Sequence, residues 1–458
     1  MKNERMLNIM RKYFGTDGVR GIANTELDCN LAFKLGRAGG FVLSRNSKDR
    51  VKVVVGRDTR ISGDMLESAL ISGLMSIGCD VICAGVCPTP AIAYLTREHK
   101  ATLGVVISAS HNPAEYNGIK FFDSKGYKLD DNIELEIEQY IDNPELIDSL
   151  PIGDKLGKKL HVDNNDRLYI DFLKKSVEID LSGMKVVLDC ANGASSYIAP
   201  VVFEELGAEV IAINCTPDGI NINNNCGSTH PQGLQERVLL ENADIGLAYD
   251  GDADRLIAVD EKGCILDGDF ILMLSALHMK SENKLNKNTL VVTTMSNIGL
   301  TVCAKEHDIN LVATNVGDRY VLEAMKENGY NLGGEQSGHM IFSDYNSTGD
   351  GVLSSLILSK IVKLSGKSIS ELSSIMTKYP QVLVNARVKN ENKNKYTEIS
   401  EIMNEISKIE DILKDSGRVL IRPSGTEPLV RVMLEGKNRD ELQAMATKLA
   451  NMMEFILG

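Results

Sequence analysis

A strand–helix–strand pattern recurs three times along the chain, and each recurrence ends in a polar loop. The three rounds cover residues 51–107, 185–249 and 290–328. Short apolar runs rich in Val and Ile indicate buried strands, and apolar positions three and four apart indicate the helices between them. Domains of this kind bind ligands beyond the carboxyl ends of their strands. The pattern therefore predicts three similar α/β units, each with a candidate binding loop at a strand end.

A fourth module with a different pattern follows a predicted helix at 351–364. It has a strand at 382–388, then a helix, two strands between 422 and 432, and a last helix from Asp440. This order is typical of a small α+β domain. The predicted domains are 1–155, 156–256, 257–370 and 371–458.

Length and composition exclude several classes of protein. A chain of 458 residues is too long for one core and fits three or four domains of about 100–150 residues each. A net charge of −13 argues against a nucleic-acid partner. No apolar run approaches the roughly 20 residues that span a bilayer, and the charged N-terminus leads into no signal core, so we expect a cytoplasmic protein without a membrane partner.

Nine cysteines are scattered through the sequence without a disulfide framework. Cys79, Cys83 and Cys87 have a ligand-like spacing, but four residues of strand cover about 13 Å, which is too far to share one zinc ion. We therefore expect reduced, packed thiols.

Ser110 lies in the sequence Ser-Ala-Ser-His-Asn-Pro directly after the predicted strand at 102–107. Its hydroxyl is a candidate nucleophile and phosphate carrier, which would require a base or a metal beside it. The alternative is a plain turn, because Ser, Asn and Pro all favour turns. A Ser–His hydrolase is disfavoured, since adjacent residues such as Ser110 and His111 rarely direct both side chains at one target and no Gly-x-Ser-x-Gly elbow is present.

Asp250, Asp252 and Asp254 alternate in the sequence Asp-Gly-Asp-Ala-Asp-Arg after the predicted strand at 245–249. Close carboxylates repel one another, and a turn tolerates this only if it is well solvated at the surface or if a cation binds it. Oxygen ligands of this kind favour Mg²⁺. A calcium loop of the helix–loop–helix type is the rival reading. It fails because Arg255 stands where that loop needs glycine and because the flanks are predicted strands.

Two further loops have a composition suited to a phosphosugar. Glu335 and Ser337 lie among glycines that allow close backbone approach, so they could bind sugar hydroxyls, or they could form an ordinary turn. The second loop contains a guanidinium, two hydroxyls and free backbone amides, which could bind a phosphate or could simply close a hairpin. This second loop comprises Arg422, Ser424, Gly425 and Thr426. Arg20 and Lys120 are further cations that could lie at the binding site or could be ordinary surface charges. Lys120 is only ten residues after Ser110, so the chain could return it to the same site.

Five motifs occur in order along almost the whole chain, and together they resemble the α-D-phosphohexomutase family. They are FGTDGVRG, SASHNP, DGDADR, GEQSGH and RPSGTEP. The resemblance implies three similar α/β domains with mixed sheets and a smaller C-terminal α+β domain around a central cleft. Since an intermediate lost between two transfers would leave Ser110 unphosphorylated, we also predict that the fourth domain closes over the ligand.

The resemblance assigns a role to each candidate residue. Ser110 would carry the phosphate beside Mg²⁺ bound by Ser110, Asp250, Asp252 and Asp254, and a sugar 1,6-bisphosphate would be the intermediate and activator. The catalytic set would further include Arg20, Lys120, Arg255 and His111. The resemblance does not assign the general acid or the general base among them. The substrate-binding set would be Glu335, Ser337, Arg422, Ser424, Gly425, Thr426 and Arg431.

Two loops are similar to the glucosamine branch of the family. They are Glu335-Gln336-Ser337 and Val316-Gly317-Asp318-Arg319-Tyr320. The implied reaction interconverts glucosamine 6-phosphate and glucosamine 1-phosphate and feeds amino-sugar nucleotide and cell-wall precursor synthesis. A glucose or mannose phosphate mutase of the same family and a non-catalytic sugar-phosphate sensor are the alternatives, and a monomer and a homodimer are both compatible with the sequence.

Overall fold

The computed structural model describes residues 12–15, 17–45, 47, 49–414, 417–424 and 427–458. The chain forms two compact units. One comprises the residues up to Met295 together with Asn310–Ser373, and the other comprises Ser296–Ile309 together with Ser374–Gly458.

The first sheet is mixed and carries the Ser110 turn. Its elements in chain order are β1 (Val19–Ile22), α1 (Cys29–Ser44), β2 (Lys52–Arg57), α2 (Ser62–Ser76), β3 (Asp80–Val86), α3 (Thr89–Glu98), β4 (Leu103–Ile107), β5 (Tyr116–Phe122), α4 (Asp131–Asp142) and β6 (Lys159–Leu160). The strand order is β1-β5-β4-β2-β3-β6. Strands β4, β2, β3 and β6 are parallel, whereas β5 and β1 are antiparallel to their neighbours. Because β5 returns beside β4, Lys120 pairs with Val106 and lies next to the Ser110 turn.

Helices α1 and α2 pack against the first sheet and bury its apolar face. The side chain of Asp28 caps α1 by accepting a hydrogen bond from the Leu31 backbone N–H at 2.8 Å. Leu35, Leu66 and Leu70 are fully buried, and they belong to one apolar cluster with Val53 and Val55 of β2. This core gives the strand ends a fixed position.

The second sheet carries the aspartate turn. Its elements are α5 (Asn165–Val177), β7 (Lys185–Asp189), α6 (Ile198–Glu205), β8 (Glu209–Ile213), α7 (Gln232–Glu241), β9 (Ile245–Tyr249), β10 (Leu256–Asp260) and β11 (Ile265–Leu266). The order is β11-β10-β9-β7-β8, with β9, β7 and β8 parallel and β10 and β11 antiparallel. The turn joins β9 to β10, whose residues are all buried. Strands on both sides of the turn agree with the argument against a calcium loop.

The third sheet carries the Glu335 loop. Its elements, with the intervening and following helices, are α8 (Gly268–Ser281), β12 (Thr289–Thr293), α9 (Ile298–Glu306), β13 (Asn310–Thr314), α10 (Asp318–Asn328), β14 (Leu332–Gly334), β15 (Met340–Phe342), α11 (Gly351–Ser365) and α12 (Ile369–Ser373). The order is β13-β12-β14-β15, in which only β15 is antiparallel. The loop lies between β14 and β15, and α9 belongs to the second compact unit.

The second compact unit contains an antiparallel sheet. Its remaining elements are β16 (Gln381–Arg387), α13 (Ser400–Leu413), β17 (Arg418–Pro423), β18 (Leu429–Glu435) and α14 (Arg439–Leu457). The order is β16-β18-β17. Glu435 is fully buried and accepts hydrogen bonds from Asn297 Nδ2 at 3.3 Å, Ile298 N at 3.1 Å and Arg418 Nε at 2.5 Å. These bonds attach the segment before α9 to this sheet.

The predicted architecture is confirmed. The chain has three α/β domains with mixed sheets and a smaller C-terminal α+β domain, and most predicted strands and helices agree with the observed ones within a few residues. All nine cysteines are free thiols.

Within the described part of the chain, no helix combines the length and the apolar character needed to span a bilayer.

Candidate active site

Ser110 follows the carboxyl end of β4 in a left-handed backbone conformation, with φ at +52°. Ser110 is 1% exposed to solvent. The hydroxyl Oγ donates to Asp250 Oδ2 at 2.6 Å, although 140 residues separate the two along the chain. The Ser110 turn of the first sheet and the aspartate turn of the second are therefore in direct contact.

His111 shares the environment of the Ser110 hydroxyl. Its Nδ1 lies 3.2 Å from Ser110 Oγ. Adjacent residues rarely direct their side chains at one target, but here the left-handed φ of Ser110 bends the chain and the two side chains meet. Burial, followed by the charges of Arg255 and Arg20, lowers the pKa of His111 to about 4. The ring is therefore neutral at pH 7 and can accept a proton.

Asp250, Asp252 and Asp254 form a buried carboxylate cluster. One oxygen from each lies within 4.8 Å of the others, and no other set of His, Cys, Asp and Glu side chains in the described ranges has metal-ligand spacing. Burial, followed by the charges of Asp254 and Asp252, raises the pKa of Asp250 well above its usual range. Burial acts in the same direction on Asp254, but His339, Lys120 and Arg255 lower its pKa overall.

The cluster fits a divalent cation. Asp252 Oδ1 and Asp254 Oδ1 are buried and accept no hydrogen bond from the described residues. A buried carboxylate oxygen without a partner is costly, and a hard cation with oxygen ligands removes that cost. The donor set of three carboxylates with the Ser110 hydroxyl beside Asp250 suits Mg²⁺.

Lys120 reaches the cluster from β5. Its buried Nζ lies 2.9 Å from Asp252 Oδ2, 3.0 Å from Asp17 Oδ2 and 4.0 Å from Asp254 Oδ2. Burial acts to lower the pKa of Lys120, but the charges of Asp17, Asp252 and Asp254 raise it overall, so the ammonium stays charged. Of the two readings open from sequence, the structure places Lys120 at the site.

A set of ion pairs extends from Lys120 towards the third domain. Asp17 also pairs with Arg20 Nη2, and its Oδ1 lies 2.6 Å from Lys128 Nζ. Lys128 Nζ lies 2.5 Å from Asp318 Oδ2. The resulting chain of alternating charges joins the first domain to the start of α10.

His339 connects two of the acidic groups. Its Nδ1 lies 3.5 Å from Asp254 Oδ2 and its Nε2 lies 3.5 Å from Asp318 Oδ2. Burial lowers the pKa of this imidazole, but the neighbouring charges of Asp254 and Asp318 raise it overall. The sequence analysis assigned His339 no catalytic or binding role, although it is the last residue of the GEQSGH motif and that motif was the available signal.

Arg255 and Glu335 complete the wall of the site. The Arg255 backbone N–H donates to Asp250 Oδ1 at 3.2 Å, and its Nε lies 3.8 Å from Asp254 Oδ1. Glu335 Oε1 accepts a hydrogen bond from Gly317 N at 3.0 Å. Ser337 lies in the same loop as Glu335 and is exposed.

A pocket of about 790 Å³ opens beside these groups. Ser110, Arg20, Arg255 and Glu335 line it, whereas the carboxylates of Asp250 and Asp252 are buried behind its surface. The other residues of its wall are Tyr13, Gly15, Asp17, Gly18, Lys128, Asp130, Asp131, Asn132, Asp254, Val316, Gly317, Asp318, Arg319, Tyr320, Glu323 and His339. A pocket of this size with both charge signs can hold a small phosphorylated polyol.

The predicted phosphate loop lies in the second compact unit. Arg422 on β17 and Arg431 on β18 are register partners, and Arg431 Nη2 lies 3.5 Å from Glu427 Oε2. The buried Ser424 follows β17, and its carbonyl accepts from Lys393 Nζ at 2.8 Å. Gly425 and Thr426 lie outside the described residues.

Sequence reasoning missed several residues of the site. Asp17 lies inside the quoted FGTDGVRG motif, so that motif was the available signal, whereas Lys128 lies in none of the five motifs. Thr89 at the start of α3 donates from Oγ1 to Asp252 Oδ2 at 2.7 Å. A threonine at a helix start is ordinary as a local feature, so only the fold reveals this contact.

Four family models match consecutive parts of the chain. They describe the alpha/beta/alpha domain I of phosphoglucomutase/phosphomannomutase at residues 11–148, domain II at 167–263, domain III at 267–379 and the C-terminal domain at 383–452.

Similar proteins and structures extend over nearly the whole chain. A phosphoglucosamine mutase of Clostridioides difficile (strain 630) is 68% identical over 445 residues, which are 97% of this chain and 99% of that protein. A crystal structure of a phosphoglucomutase/phosphomannomutase family protein from Burkholderia thailandensis is 25% identical, with a TM-score of 0.81 over 96% of this chain and 97% of that one. An Aspergillus fumigatus N-acetylphosphoglucosamine mutase in complex with GlcNAc-6P and magnesium has a TM-score of 0.66 at 18% identity, with 99% and 98% covered.

Proposed function

The chain belongs to the phosphoglucomutase/phosphomannomutase family, and on that basis we propose that it interconverts glucosamine 6-phosphate and glucosamine 1-phosphate. It is then an intramolecular phosphotransferase of the isomerase class. The observation that carries the proposal is the 2.6 Å contact between Ser110 Oγ and Asp250 Oδ2 at the wall of the pocket. It supports a nucleophile held against a cation-binding cluster.

Ser110 carries the phosphoryl group in this reaction. The bond between phosphorus and Ser110 Oγ breaks as a bond to a hydroxyl oxygen of the sugar phosphate forms. The proton of that hydroxyl passes to a base of the pocket, and Ser110 Oγ takes up a proton from Asp250 or His111. The product is a sugar 1,6-bisphosphate. The bond between its other phosphorus and the sugar oxygen then breaks as a bond to Ser110 Oγ forms. The serine proton leaves along the hydrogen bond to Asp250 Oδ2 or to His111 Nδ1, both of which are within reach, and the sugar oxygen takes back the proton from the base of the pocket.

Ser110, Asp250, Asp252 and Asp254 would hold Mg²⁺, supported by the two buried oxygens that accept no hydrogen bond. The bound cation supplies charge neutralisation for the phosphoryl oxygens and for the carboxylates. Thr89 and Lys120 both contact Asp252 Oδ2 and fix its orientation. The protein thereby provides the carboxylate cluster in a preformed arrangement.

Cationic side chains stabilise the charge that spreads over the transferred group. Arg20, Arg255 and Lys120 lie around the Ser110 turn, and phosphoryl transfer depends mainly on alignment and charge stabilisation. Lys120 and Arg20 share Asp17 as a partner, so their positions are mutually dependent.

The two ends of the bisphosphate must use the same binding groups in turn. We assign Glu335 and Ser337 to the sugar hydroxyls, since Glu335 lines the pocket and its carboxylate is fixed by Gly317. The distal phosphate is assigned to the loop of the fourth domain with Arg422, Ser424, Gly425, Thr426 and Arg431. Arg422 and Arg431 are neighbours across two strands, so they present two positive charges together.

The substrate choice rests on the relatives. The relative from Clostridioides difficile, 68% identical across its length, is a phosphoglucosamine mutase, and several further bacterial relatives of 56–58% identity bear the same name. Identity at this level across all four domains favours the same substrate.

The test compares the interconversion of glucosamine, glucose and mannose phosphates by purified protein with Mg²⁺ and a trace of sugar 1,6-bisphosphate. We expect the highest kcat/KM for glucosamine phosphates, and no turnover by Ser110→Ala. Ser359→Ala, a buried serine of α11 that bonds within its helix, is the matched control and should remain active. Binding of phosphosugars without turnover by the wild type would instead indicate a sensor.

A further inference from the structure

Arg60 is a fully buried arginine in the loop that follows β2, next to the loop that follows β4. A buried guanidinium persists only when its donors are paired. Its Nη2 donates to Ser110 O at 3.0 Å and to Asn112 O at 2.8 Å, and its Nη1 donates to Pro113 O. One side chain thus binds three carbonyls of the Ser110 turn.

Asp58 fixes Arg60 and extends the contact to the other side of Ser110. Its Oδ2 accepts from Arg60 Nε at 2.8 Å and from Ser108 Oγ at 2.6 Å. Ser108 Oγ in turn accepts from the Ser110 backbone N–H at 3.0 Å. Both peptide groups that flank the Ser110 side chain are therefore held by one buried network.

The second domain contributes to the same anchoring. Asn223 Nδ2 donates to Ser110 O at 2.9 Å and to Asn112 O at 3.0 Å, so it binds two of the carbonyls that Arg60 binds. Gly251 in the aspartate turn approaches so closely that a Cβ there would lie 2.6 Å from Ser110 O. The Ser110 carbonyl is thereby enclosed between Arg60, Asn223 and the aspartate turn.

This anchoring has a cost that the network offsets. A left-handed φ is unfavourable for serine by about 1–2 kcal/mol, and such conformations persist where surrounding contacts determine them. The conformation directs Oγ at Asp250 and His111. Loss of the anchoring contacts would let the turn relax and move Oγ away from the carboxylate cluster.

We propose that Arg60, oriented by Asp58 and assisted by Ser108 and Asn223, is a positioning residue that sets the place of Ser110 Oγ for phosphoryl transfer. This inference rests on the proposed function. Among the contacts of the described residues, Arg60 reaches the turn only through backbone carbonyls, so it acts through Ser110. Its substitution should therefore lower kcat and leave the KM for the phosphosugar almost unchanged.

The test uses Arg60→Lys, Ser108→Ala and Asn223→Ala in the full-length protein. A displacement of about 1 Å costs about 10²-fold in rate, so we expect a loss of about that size in kcat for Arg60→Lys. The two variants that remove one hydrogen bond should lose less. Single-turnover transfer from phosphorylated Ser110 should slow in proportion, and thermal unfolding reports stability separately.

Arg97→Lys is the matched control. Arg97 bonds Ser347 Oγ at 2.6 Å and Asn346 Oδ1 at 3.0 Å in the same compact unit, so the substitution makes the same chemical change away from the turn. We expect it to lower the unfolding midpoint with a nearly unchanged kcat.

The outcomes separate the two proposals. An inactive wild type contradicts the proposed function itself. An active wild type with a wild-type kcat in Arg60→Lys overturns the positioning role, whatever happens to stability. Should Arg60→Lys fail to fold, Ser108→Ala and Asn223→Ala decide: reduced kcat at unchanged KM in both supports the inference, and unchanged kcat in both refutes it.

Discussion

Replacing Lys120 with methionine is expected to destabilise the protein strongly, and added Mg²⁺ should restore part of the loss. Lys120 is 1% exposed, and its Nζ contacts Asp252, Asp17 and Asp254 at 2.9, 3.0 and 4.0 Å. Removing one partner of a buried ion pair costs about 3–5 kcal/mol because it leaves an uncompensated charge. Methionine keeps most of the apolar stem, so the lost charge accounts for most of the effect.

The response to the metal gives this prediction its sharpest form. Lys120 and a bound cation both neutralise Asp252 and Asp254, and they repel each other. The variant should therefore bind Mg²⁺ more tightly than the wild type. At a free concentration about 100 times Kd, a ligand stabilises the folded state by about 2.7 kcal/mol. Tighter binding makes this gain larger for the variant at any fixed Mg²⁺ concentration.

The assay is denaturant unfolding of both proteins in EDTA and in MgCl₂. Lys125→Met, the same change at an exposed lysine, is the control and should stay within the roughly 1 kcal/mol typical of surface charges. Equal stabilisation of wild type and Lys120→Met by Mg²⁺ would refute the reasoning, as would a loss in EDTA no larger than that of the control.

Three further predictions follow from single contacts. Burial raises the pKa of Glu134 to about 8, so the folded state holds one more proton than the unfolded state between about pH 5 and 8. The free energy of unfolding therefore falls as the pH rises through this range. Denaturant titrations of Glu134→Gln should show a decline that is flatter by at most about 1.4 kcal/mol per pH unit. Glu435→Ala should lower the free energy of unfolding by about 3–5 kcal/mol, because it removes the buried partner of Arg418. Hydrogen-exchange protection should also fall across 374–458, and unchanged protection there would contradict this role. Thr89→Val removes the 2.7 Å hydrogen bond to Asp252 and should raise the Mg²⁺ concentration for half-maximal activity several-fold, as expected for about 1 kcal/mol, whereas an unchanged Mg²⁺ dependence would show that Thr89 does not position this carboxylate.

The sequence was sufficient to predict which strands the candidate loops follow. Ser110, Asp250 and Glu335 each follow a strand whose apolar run is readable locally, and strand ends are where α/β domains place their ligands. The observed strands and helices accordingly match the predicted ones in all four domains. The agreement reflects periodicity, which depends only on neighbouring residues.

The interactions between the loops were not predictable in the same way. Lys128 pairs with Asp17 and Asp318 across 111 and 190 residues of chain, and ion pairs of this range leave no local pattern. The contact between His111 and Ser110 depends on one left-handed φ, which the residue types do not specify. Asp58 and Arg60 resemble an ordinary charged pair after a strand until the fold places three carbonyls around the guanidinium.

The central claim, that one serine oxygen passes a phosphoryl group between the two ends of a sugar, has a direct test. The protein is labelled with ³²P on Ser110, and all unbound ³²P is removed. It is then mixed with unlabelled glucosamine 6-phosphate and Mg²⁺. The account predicts that label leaves Ser110 and appears in the bisphosphate and then in the monophosphate sugars, at a rate that matches turnover. Interconversion of the two sugar phosphates while the label stays on Ser110 would contradict it.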